Sequence, residues 1–270
     1  MSVNGIDEAS GPEADPDLDL SYGTFDLTSP GLTAVVGRRA PDGTVVELEV
    51  CYAEVDGNAI YQGDIRLGEA GAIAERERRR RSPYLGLVIT SAGDLWKDGI
   101  VPFKTDAGAA SVVAKAAARL AASTNVRMRP HAGEESYVRF VTGRANHSAV
   151  GRQGGEQIIS LKADVSTGTA LHEICHALGL WHEHCRPDRD EHITIVRENV
   201  LAGCMPQFAI QDTDAATTGS YDYGSIMHYG PAEFSDPAGA TTIRTKGGAT
   251  IGQRNGLSAG DVSALRSLYP

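Results

Sequence analysis

The chain has 270 residues and a formal net charge of −10, with 41% hydrophobic and 22% charged residues, as expected for one or two folded domains. No apolar run approaches the roughly 20 residues that a membrane-spanning helix needs, which excludes an integral membrane protein. Residues 1–37 hold seven acidic and no basic side chains, so we expect an acidic, disordered tail there. Residues 38–270 carry a net charge of −3, which argues against a nucleic-acid binder, since such proteins present a basic face.

Residues 38–81 are predicted to form a β-rich segment that ends in a basic run. Strands are expected between residues 33 and 67, where residues 45–52 alternate apolar and polar side chains. The run Arg76–Arg81 holds five arginines in six positions. It is equally consistent with the solvated end of a helix and with an exposed site for a trypsin-like protease. We place a domain boundary at this run.

Residues 82–270 are predicted to form a second domain with alternating helices and strands. Helices are expected over 106–123, 167–178 and 257–265, strands over 137–141 and 157–161, and a loop-rich stretch over 183–256. Ser258 is the predicted N-cap of the last helix, with Asp261 completing a capping box.

The clearest chemistry lies in one predicted helix and the residues that follow it. His172 and His176 are four residues apart, so they lie about 40° apart on one helix face and can reach the same zinc ion. Glu173 lies beside them, where it can take a proton from a metal-bound water. Gly179 is predicted to end the helix, which lets His182 return as a third ligand. Three protein ligands leave a coordination position open, as in catalytic zinc sites.

Residues 172–195 resemble the zinc signature of the astacin family of metzincin metalloendopeptidases. Residues 221–229 resemble the Met-turn of that family, residues 150–157 its substrate-side edge strand, and residues 251–261 its C-terminal segment. The resemblance covers about residues 96–269. It implies an α+β fold with a twisted, mixed and mostly parallel sheet, an active-site helix, and a loop-rich lower lobe that ends in a helix.

The resemblance also implies roles for single residues. The three histidines would bind one Zn²⁺, and Glu173 would be the general base in the hydrolysis of protein or peptide substrates. Met227 would form the hydrophobic floor beneath the metal. Tyr229 would be a switchable ligand whose phenol moves to stabilise the oxyanion. Glu183 would help to hold the new N-terminus after activation.

The segment Tyr61-Gln62-Gly63-Asp64 resembles the pro-segment motif Phe-x-Gly-Asp of the same family, with tyrosine in place of phenylalanine. The resemblance implies that the Asp64 carboxylate occupies the water position on zinc. The enzyme would then be latent until an activating protease cuts at Arg76–Arg81. By itself, an aspartate after glycine also suits a simple turn, and that alternative stays open.

The adjacent residues Gly154 and Gly155 predict an exposed sheet edge that binds an extended peptide as an added strand, with a tight turn as the alternative.

The four cysteines allow three complete pairings, among which the sequence does not choose: Cys51, Cys175, Cys185 and Cys204. None lies where the astacin family places its disulfides, which suits a reducing compartment or a bacterial-type relative. Cys175 is expected to be a small buried side chain. Cys51 is an alternative zinc ligand to Asp64. The resemblance suggests a secreted enzyme, whereas the start of the chain lacks an ordinary secretory signal, so the location stays open.

The remaining histidines are expected at the surface or in packing roles, not as ligands: His131, His147, His184, His192 and His228. Three rival functions are weaker. A metzincin of another type is disfavoured by the segments that resemble the Met-turn and the edge strand. A thermolysin-like enzyme is disfavoured because it needs a carboxylate as third ligand, whereas His182 is predicted to fill that role here. A zinc-bearing peptide-binding module without hydrolysis is disfavoured by the intact Glu173 and Tyr229.

Overall fold

The computed structural model describes residues 32–39, 45–79, 87–89, 95–211 and 219–270, of which residues 32–49, 51, 75–79 and 87–89 are described by their backbone alone. Most of the predicted acidic tail, the end of the basic run at Arg80 and Arg81, and the Cys51 side chain therefore lie outside the described part.

The N-terminal part folds into a five-stranded sheet in the order β4-β3-β2-β1-β5. Its strands are β1 (Leu32–Arg39), β2 (Val45–Val55), β3 (Asn58–Tyr61), β4 (Ile65–Glu69) and β5 (Leu87–Ile89). Strands β1 to β4 are antiparallel to their neighbours, and β5 adds in parallel to β1. Asp56 and Gly57 join β2 to β3 with φ of 49° and 76°, the left-handed conformation that two-residue hairpin loops favour.

Two predictions at the borders of this sheet need adjustment. Strand β1 begins at Leu32, so the last residues assigned to the disordered tail are extended and paired, as the strand prediction from residue 33 required. Helix α1 (Ala70–Arg79) contains the first arginines of the basic run, which agrees with the alternative of a helix end. The sheet also crosses the predicted domain boundary, because β5 follows the run and still pairs with β1.

The second sheet has four mutually parallel strands in the order β7-β6-β8-β9. They are β6 (Ile100–Thr105), β7 (Arg127–Pro130), β8 (Tyr137–Thr142) and β9 (Glu156–Leu161). The prediction of a mostly parallel sheet is confirmed, but β6 and β7 were not predicted. Strand β7 is short and largely exposed, and β6 has two adjacent buried residues, one of them Pro102, in place of an alternation of apolar and polar side chains.

Two helices pack with this sheet around one hydrophobic core. Helix α2 (Ala110–Ser123) begins four residues later than predicted, because Asp106 turns away to donate its backbone N–H to Phe140. Helix α3 (Thr167–Ala177) is buried along its whole length, and its Leu171 and Ile174 side chains lie in the core. Burying a side chain of this kind contributes about 1.5–3 kcal/mol, so the core fixes the position of α3.

The C-terminal part is rich in loops, with one small antiparallel pair of β10 (Ile193–Ile195) and β11 (Ile243–Thr245). Helix α4 (Ala259–Leu268) closes the chain with the predicted capping box between Ser258 and Asp261. Among the described residues, no helix has both the length and the apolar character needed to cross a membrane. The α+β prediction is confirmed.

Candidate metal centre

Helix α3 owes its position to a close approach at one end and a sharp turn at the other. A Cβ at Gly168 would lie 1.4 Å from the Arg254 backbone oxygen, so only glycine lets the helix start pack there. Gly179 has φ of 104° and ends the helix, as predicted. The Leu180 N–H then donates to the Cys175 carbonyl at 3.0 Å, which turns the chain back toward the face that carries the histidines.

The three predicted ligands come together on one buried spot. Their side chains are at most 1% exposed, and the ring centroid of His176 lies 4.7 Å from those of both His172 and His182. All three Nε2 atoms face the Asp64 carboxylate, at 3.0 Å from His172, 3.5 Å from His176 and 3.1 Å from His182. These four residues form a group whose ligand atoms lie within 4.8 Å of one another.

The atoms of this group fit a bound zinc ion. The Nε2 atom of His176 and the Oδ1 atom of Asp64 are buried but form no hydrogen bond, which is costly unless another partner is present. Imidazole nitrogen and carboxylate oxygen are ordinary zinc ligands. Burial lowers the pKa of His182 to about 4 despite the nearby Asp64 charge, so its ring is neutral, the form that binds metal.

The second ring nitrogen of each ligand also has a partner. The Nδ1 atom of His172 lies 2.8 Å from the Ile226 carbonyl oxygen, and that of His176 lies 2.8 Å from the Leu180 carbonyl oxygen. A carbonyl only accepts, so each Nδ1 donates and each Nε2 is left with its lone pair for the metal. His172 and His176 are thus prepared as ligands by main-chain atoms of their own domain.

Glu173 stands apart from the hydrogen bonds of the site. It is 1% exposed, and its Oε2 atom has no hydrogen-bond partner. Burial, reinforced by the Asp64 charge, raises the pKa of this carboxyl well above its usual value. A group with this affinity for a proton, next to the histidines, suits the predicted role of general base.

Met227 and Tyr229 are both buried near the histidines. Met227 belongs to the same hydrophobic core as Ile174, and its carbonyl accepts the Glu183 N–H at 3.1 Å. The Tyr229 ring lies 4.8 Å from the His182 ring, and its phenol donates to the Gln62 carbonyl. The predicted switchable ligand is therefore hydrogen-bonded to the N-terminal part of the chain in this structure.

Glu183 is hydrogen-bonded to the segment predicted as the Met-turn, residues 221–229. Its Oε1 atom accepts the Asp222 N–H at 2.8 Å and lies 3.4 Å from the Arg186 guanidinium. Burial raises the pKa of this carboxyl to about 7. Its predicted role in holding a new N-terminus stays a prediction.

The start of β4 is bound to the second sheet through its main chain. The Arg66 N–H donates to the Ser148 carbonyl at 2.8 Å, and the Ser148 N–H donates to the Asp64 carbonyl at 2.9 Å. His147, next to Ser148, exchanges two backbone hydrogen bonds with Ser160 of β9, both at 3.0 Å. The usable edge of the sheet is therefore at His147 and Ser148.

This edge lies a few residues before the predicted one at residues 150–157. Gly154 and Gly155 have φ of 77° and 65°, a left-handed conformation that forms a turn before β9. The alternative of a tight turn was the better interpretation of this glycine pair, because two successive left-handed residues interrupt an extended strand.

Among the side chains that the structure describes, the other cysteines and histidines take no part in the metal group. Cys175 is fully buried in the core, as predicted, and neither Cys175 nor Cys185 forms a disulfide. His184 is fully buried and stacks on the Tyr229 ring at 3.7 Å between centroids. His228 donates from Nδ1 to the Tyr229 carbonyl at 2.7 Å. These contacts agree with packing roles.

Sequence reasoning missed the part played by Gln62. Its side chain is fully buried and contacts Tyr61, Cys185 and His182. It fills the unspecified position of the motif, so no pattern singled it out. A positive φ of 47°, followed by Gly63 at 80°, turns the chain so that Asp64 points at the histidines.

Comparisons with known proteins agree with this geometry. The model of the astacin peptidase family matches residues 88–270. Zinc metalloproteinase nas-15 of Caenorhabditis elegans is 40% identical over 183 residues, which are 65% of this chain and 32% of that protein. The astacin-like metalloendopeptidase of Mus musculus is 32% identical over 252 residues, which are 88% of this chain and 57% of that protein.

A solved structure shows the same fold. High choriolytic enzyme 1, a hatching enzyme zinc-protease from the medaka fish Oryzias latipes, matches with a TM-score of 0.61 and 31% identity over 65% of this chain and 92% of that one. The chain spans from about a third to under three fifths of the length of the two curated relatives. The expected bacterial type is not borne out, since these relatives come from a nematode, a mouse and a fish. Because the family model covers most of the sequence and the metal-binding geometry is in place, the chain belongs to the astacin family.

Proposed function

We propose that this chain is a zinc-dependent metalloendopeptidase and that residues 38–81 are its inhibitory pro-segment. The observation that carries the proposal is the Asp64 carboxylate, which lies where the Nε2 atoms of three buried histidines converge. One geometry accounts for both halves of the proposal, since a group of three imidazoles with one open position is a catalytic zinc site and a carboxylate in that position blocks it.

The residues of the site have separate tasks in peptide hydrolysis. His172, His176 and His182 would hold the zinc ion, which when bound lowers the pKa of a coordinated water and polarises the scissile carbonyl. Glu173 takes up a proton in the buried site and returns it to the leaving amine. Tyr229, once its phenol is released from the Gln62 carbonyl, is free to donate to the developing oxyanion.

Substrate would be bound through the sheet edge that the pro-segment now occupies. The N–H and C=O groups of Ser148 are both used by the pro-segment, through Asp64 and Arg66. After its removal these groups can bind the main chain of an extended peptide, which explains acceptance of varied protein substrates. The pro-segment therefore blocks both the metal and the substrate edge.

Activation would be a cut within Arg76–Arg81 by a protease of trypsin-like specificity. The described part of helix α1 reaches Arg79, inside this run, and local opening of a helix exposes its chain to a protease. The cut separates Asp64 from the catalytic part of the chain.

The test is a comparison of the full-length chain before and after limited trypsin treatment, with casein and a quenched fluorescent peptide as substrates. We expect hydrolysis only after treatment, and its loss when 1,10-phenanthroline removes zinc. A chain carrying Glu173→Gln, treated in the same way, controls for hydrolysis by residual trypsin. Full activity before treatment would refute latency, and hydrolysis that survives chelation would refute the zinc mechanism.

A further inference from the structure

Gln62 is held in an unusual conformation directly over the third zinc ligand. Its side chain is fully buried although it belongs to the pro-segment. Its backbone has φ of 47°, which non-glycine residues rarely adopt and which persists only where the surroundings enforce it. The Gln62 Oε1 atom lies 3.3 Å from the Nδ1 atom of His182, and this contact joins two residues far apart in the chain.

The two ends of the Gln62 amide have different partners. Its Nε2 atom donates to the Tyr61 hydroxyl and to the Cys185 sulfur, each at 3.1 Å. The Tyr61 hydroxyl is itself held by the Gln211 side chain at 2.8 Å. With the amide nitrogen turned toward Tyr61 and Cys185, the amide oxygen faces His182, and this oxygen only accepts. The Nδ1 atom of His182 is therefore the donor, and its Nε2 atom carries the lone pair.

The third ligand differs in this respect from the first two. The Nδ1 atoms of His172 and His176 donate to the main-chain carbonyls of Ile226 and Leu180, which belong to the catalytic part of the chain. The Nδ1 partner described for His182 comes from the segment that activation removes. Such outer hydrogen bonds set the tautomer and orientation of a ligating imidazole and raise its basicity.

We propose that Gln62 is a positioning residue for His182, so that the pro-segment strengthens zinc binding in the latent chain in addition to blocking the site. The identity of the metal rests on the proposed function. Loss of an outer hydrogen bond to a ligating histidine typically weakens metal affinity about 10- to 100-fold. The latent chain would therefore acquire and retain zinc more readily than a chain in which residue 62 cannot accept a hydrogen bond.

The experiment measures zinc affinity of the full-length, uncut chain by competition with a chromophoric chelator. Gln62→Met has a similar length but no acceptor, and we expect its zinc affinity to fall about 10- to 100-fold. Gln62→Glu keeps an acceptor while losing the amide donor, and we expect an affinity close to that of the unaltered chain. Circular dichroism confirms that each variant is folded.

Two controls separate positioning from docking of the pro-segment. Gln211→Met removes a contact to Tyr61 in the same network without touching His182, and should leave zinc affinity unchanged. Trypsin excision followed by gel filtration yields the same catalytic fragment from the unaltered chain and from Gln62→Met, so their zinc affinities should then be equal.

The inference is overturned if Gln62→Met binds zinc as tightly as the unaltered chain, or if Gln62→Glu is weakened as much as Gln62→Met. It is also overturned if Gln211→Met weakens binding equally. Failure of the proposed function looks different, because the unaltered chain itself would then bind no zinc, or would bind zinc without hydrolysing peptides after trypsin treatment.

Discussion

The proposed pro-segment, residues 38–81, and the proposed catalytic part of the chain meet at the same three imidazoles but hold their groups in different ways. The catalytic part presents two of its ligands on α3, a helix whose Leu171 and Ile174 side chains are at most 1% exposed. The pro-segment presents Asp64 from the short turn at Gln62 and Gly63 and is attached to the sheet edge by two main-chain hydrogen bonds at Ser148.

The hydrophobic contacts show the same contrast. Among the described side chains, buried apolar residues of the pro-segment form a separate cluster, to which the catalytic part adds the buried Val150 and the partly buried Trp181: Val50, Tyr52, Ala59, Tyr61, Ile65, Ala70, Ile73, Val150 and Trp181. The ligand helix, in contrast, shares one large core with the parallel sheet and α4.

The difference teaches how a site can be blocked firmly and still be released. The ligands are fixed by many buried apolar contacts of about 1.5–3 kcal/mol each. The pro-segment is held at the site by a few hydrogen bonds, each contributing about 0.5–3 kcal/mol. Removing the pro-segment should leave the catalytic core intact, and four substitutions test this comparison, beginning with the largest expected effect.

Glu173→Gln should lower the activity of the trypsin-treated chain about 10²- to 10⁴-fold, because the amide cannot take up a proton. Zinc content should be unchanged, since the three imidazoles are untouched. The measurement is kcat/KM on the fluorescent peptide together with zinc analysis. Equal rates for the two proteins would show that Glu173 is not the base.

Asp64→Ala should raise the activity of the uncut chain about 10- to 150-fold, which corresponds to about 1.5–3 kcal/mol, the scale of a contact made by a charged group, because alanine leaves open the position where the three Nε2 atoms converge. Burial opposes the charge of this carboxylate, but the surrounding histidines outweigh it and hold its pKa well below the usual value, so it is ionised at pH 7. The rate before trypsin treatment measures the effect. If that rate stays at the level of the unaltered chain, the blocking role of Asp64 is wrong.

Arg66→Pro should raise the activity of the uncut chain about 2- to 12-fold, because proline removes the N–H that donates to the Ser148 carbonyl, a hydrogen bond of about 0.5–1.5 kcal/mol. Arg66→Ala is the matched control, since it keeps this N–H and loses only the side-chain contact to Asn58. The two variants should differ in latency. If they are equally active, the main-chain edge contact does not hold the pro-segment.

Asp56→Asn should have the smallest effect, because asparagine also tolerates the left-handed φ of 49° at this turn, and the ion pair that it removes, with the mostly exposed Arg144, contributes about 0–1 kcal/mol. Burial opposes the Asp56 charge, but the hydrogen bonds from Arg144 outweigh it and lower the pKa of this carboxyl. A carboxyl group whose pKa is lowered in the folded state stabilises the fold at pH values above its ordinary pKa. This stabilisation is lost as the pH falls through the folded-state pKa.

The check is the difference in thermal midpoint between Asp56→Asn and the unaltered chain at several pH values. The difference should be present at pH 7 and vanish in acid. A difference that grows in acid would contradict the ion pair. The activity of the uncut chain should also be measured for this variant. If it rises as much as in Asp64→Ala, contacts at the surface hold the pro-segment as strongly as the carboxylate at the metal position, and the comparison fails.

Much of the local structure was predictable because its causes lie within a few residues. Helix α3, its end at Gly179 and the Ser258–Asp261 capping box follow from spacing, backbone freedom and short hydrogen bonds. The same reasoning placed the sheet edge at Gly154 and Gly155, where a turn lies instead, and overlooked β6 and β7. Short or exposed strands depend on their neighbours in the sheet, which a single stretch of sequence does not specify.

The metal-binding group shows the same difference between features with local causes and features that depend on distant segments. His172, His176 and Glu173 could be assigned from helix geometry, because one turn of helix brings them together whatever the rest of the chain does. Asp64 was indicated by a family motif, not by physical spacing, since 108 residues separate it from His172. The contact of Gln62 with His182 spans 120 residues and arises only where two sheets meet at Ser148. Sequence alone predicted the three histidines as ligands, and the tertiary structure decided what faces them, because contacts between distant segments depend on how the whole chain packs.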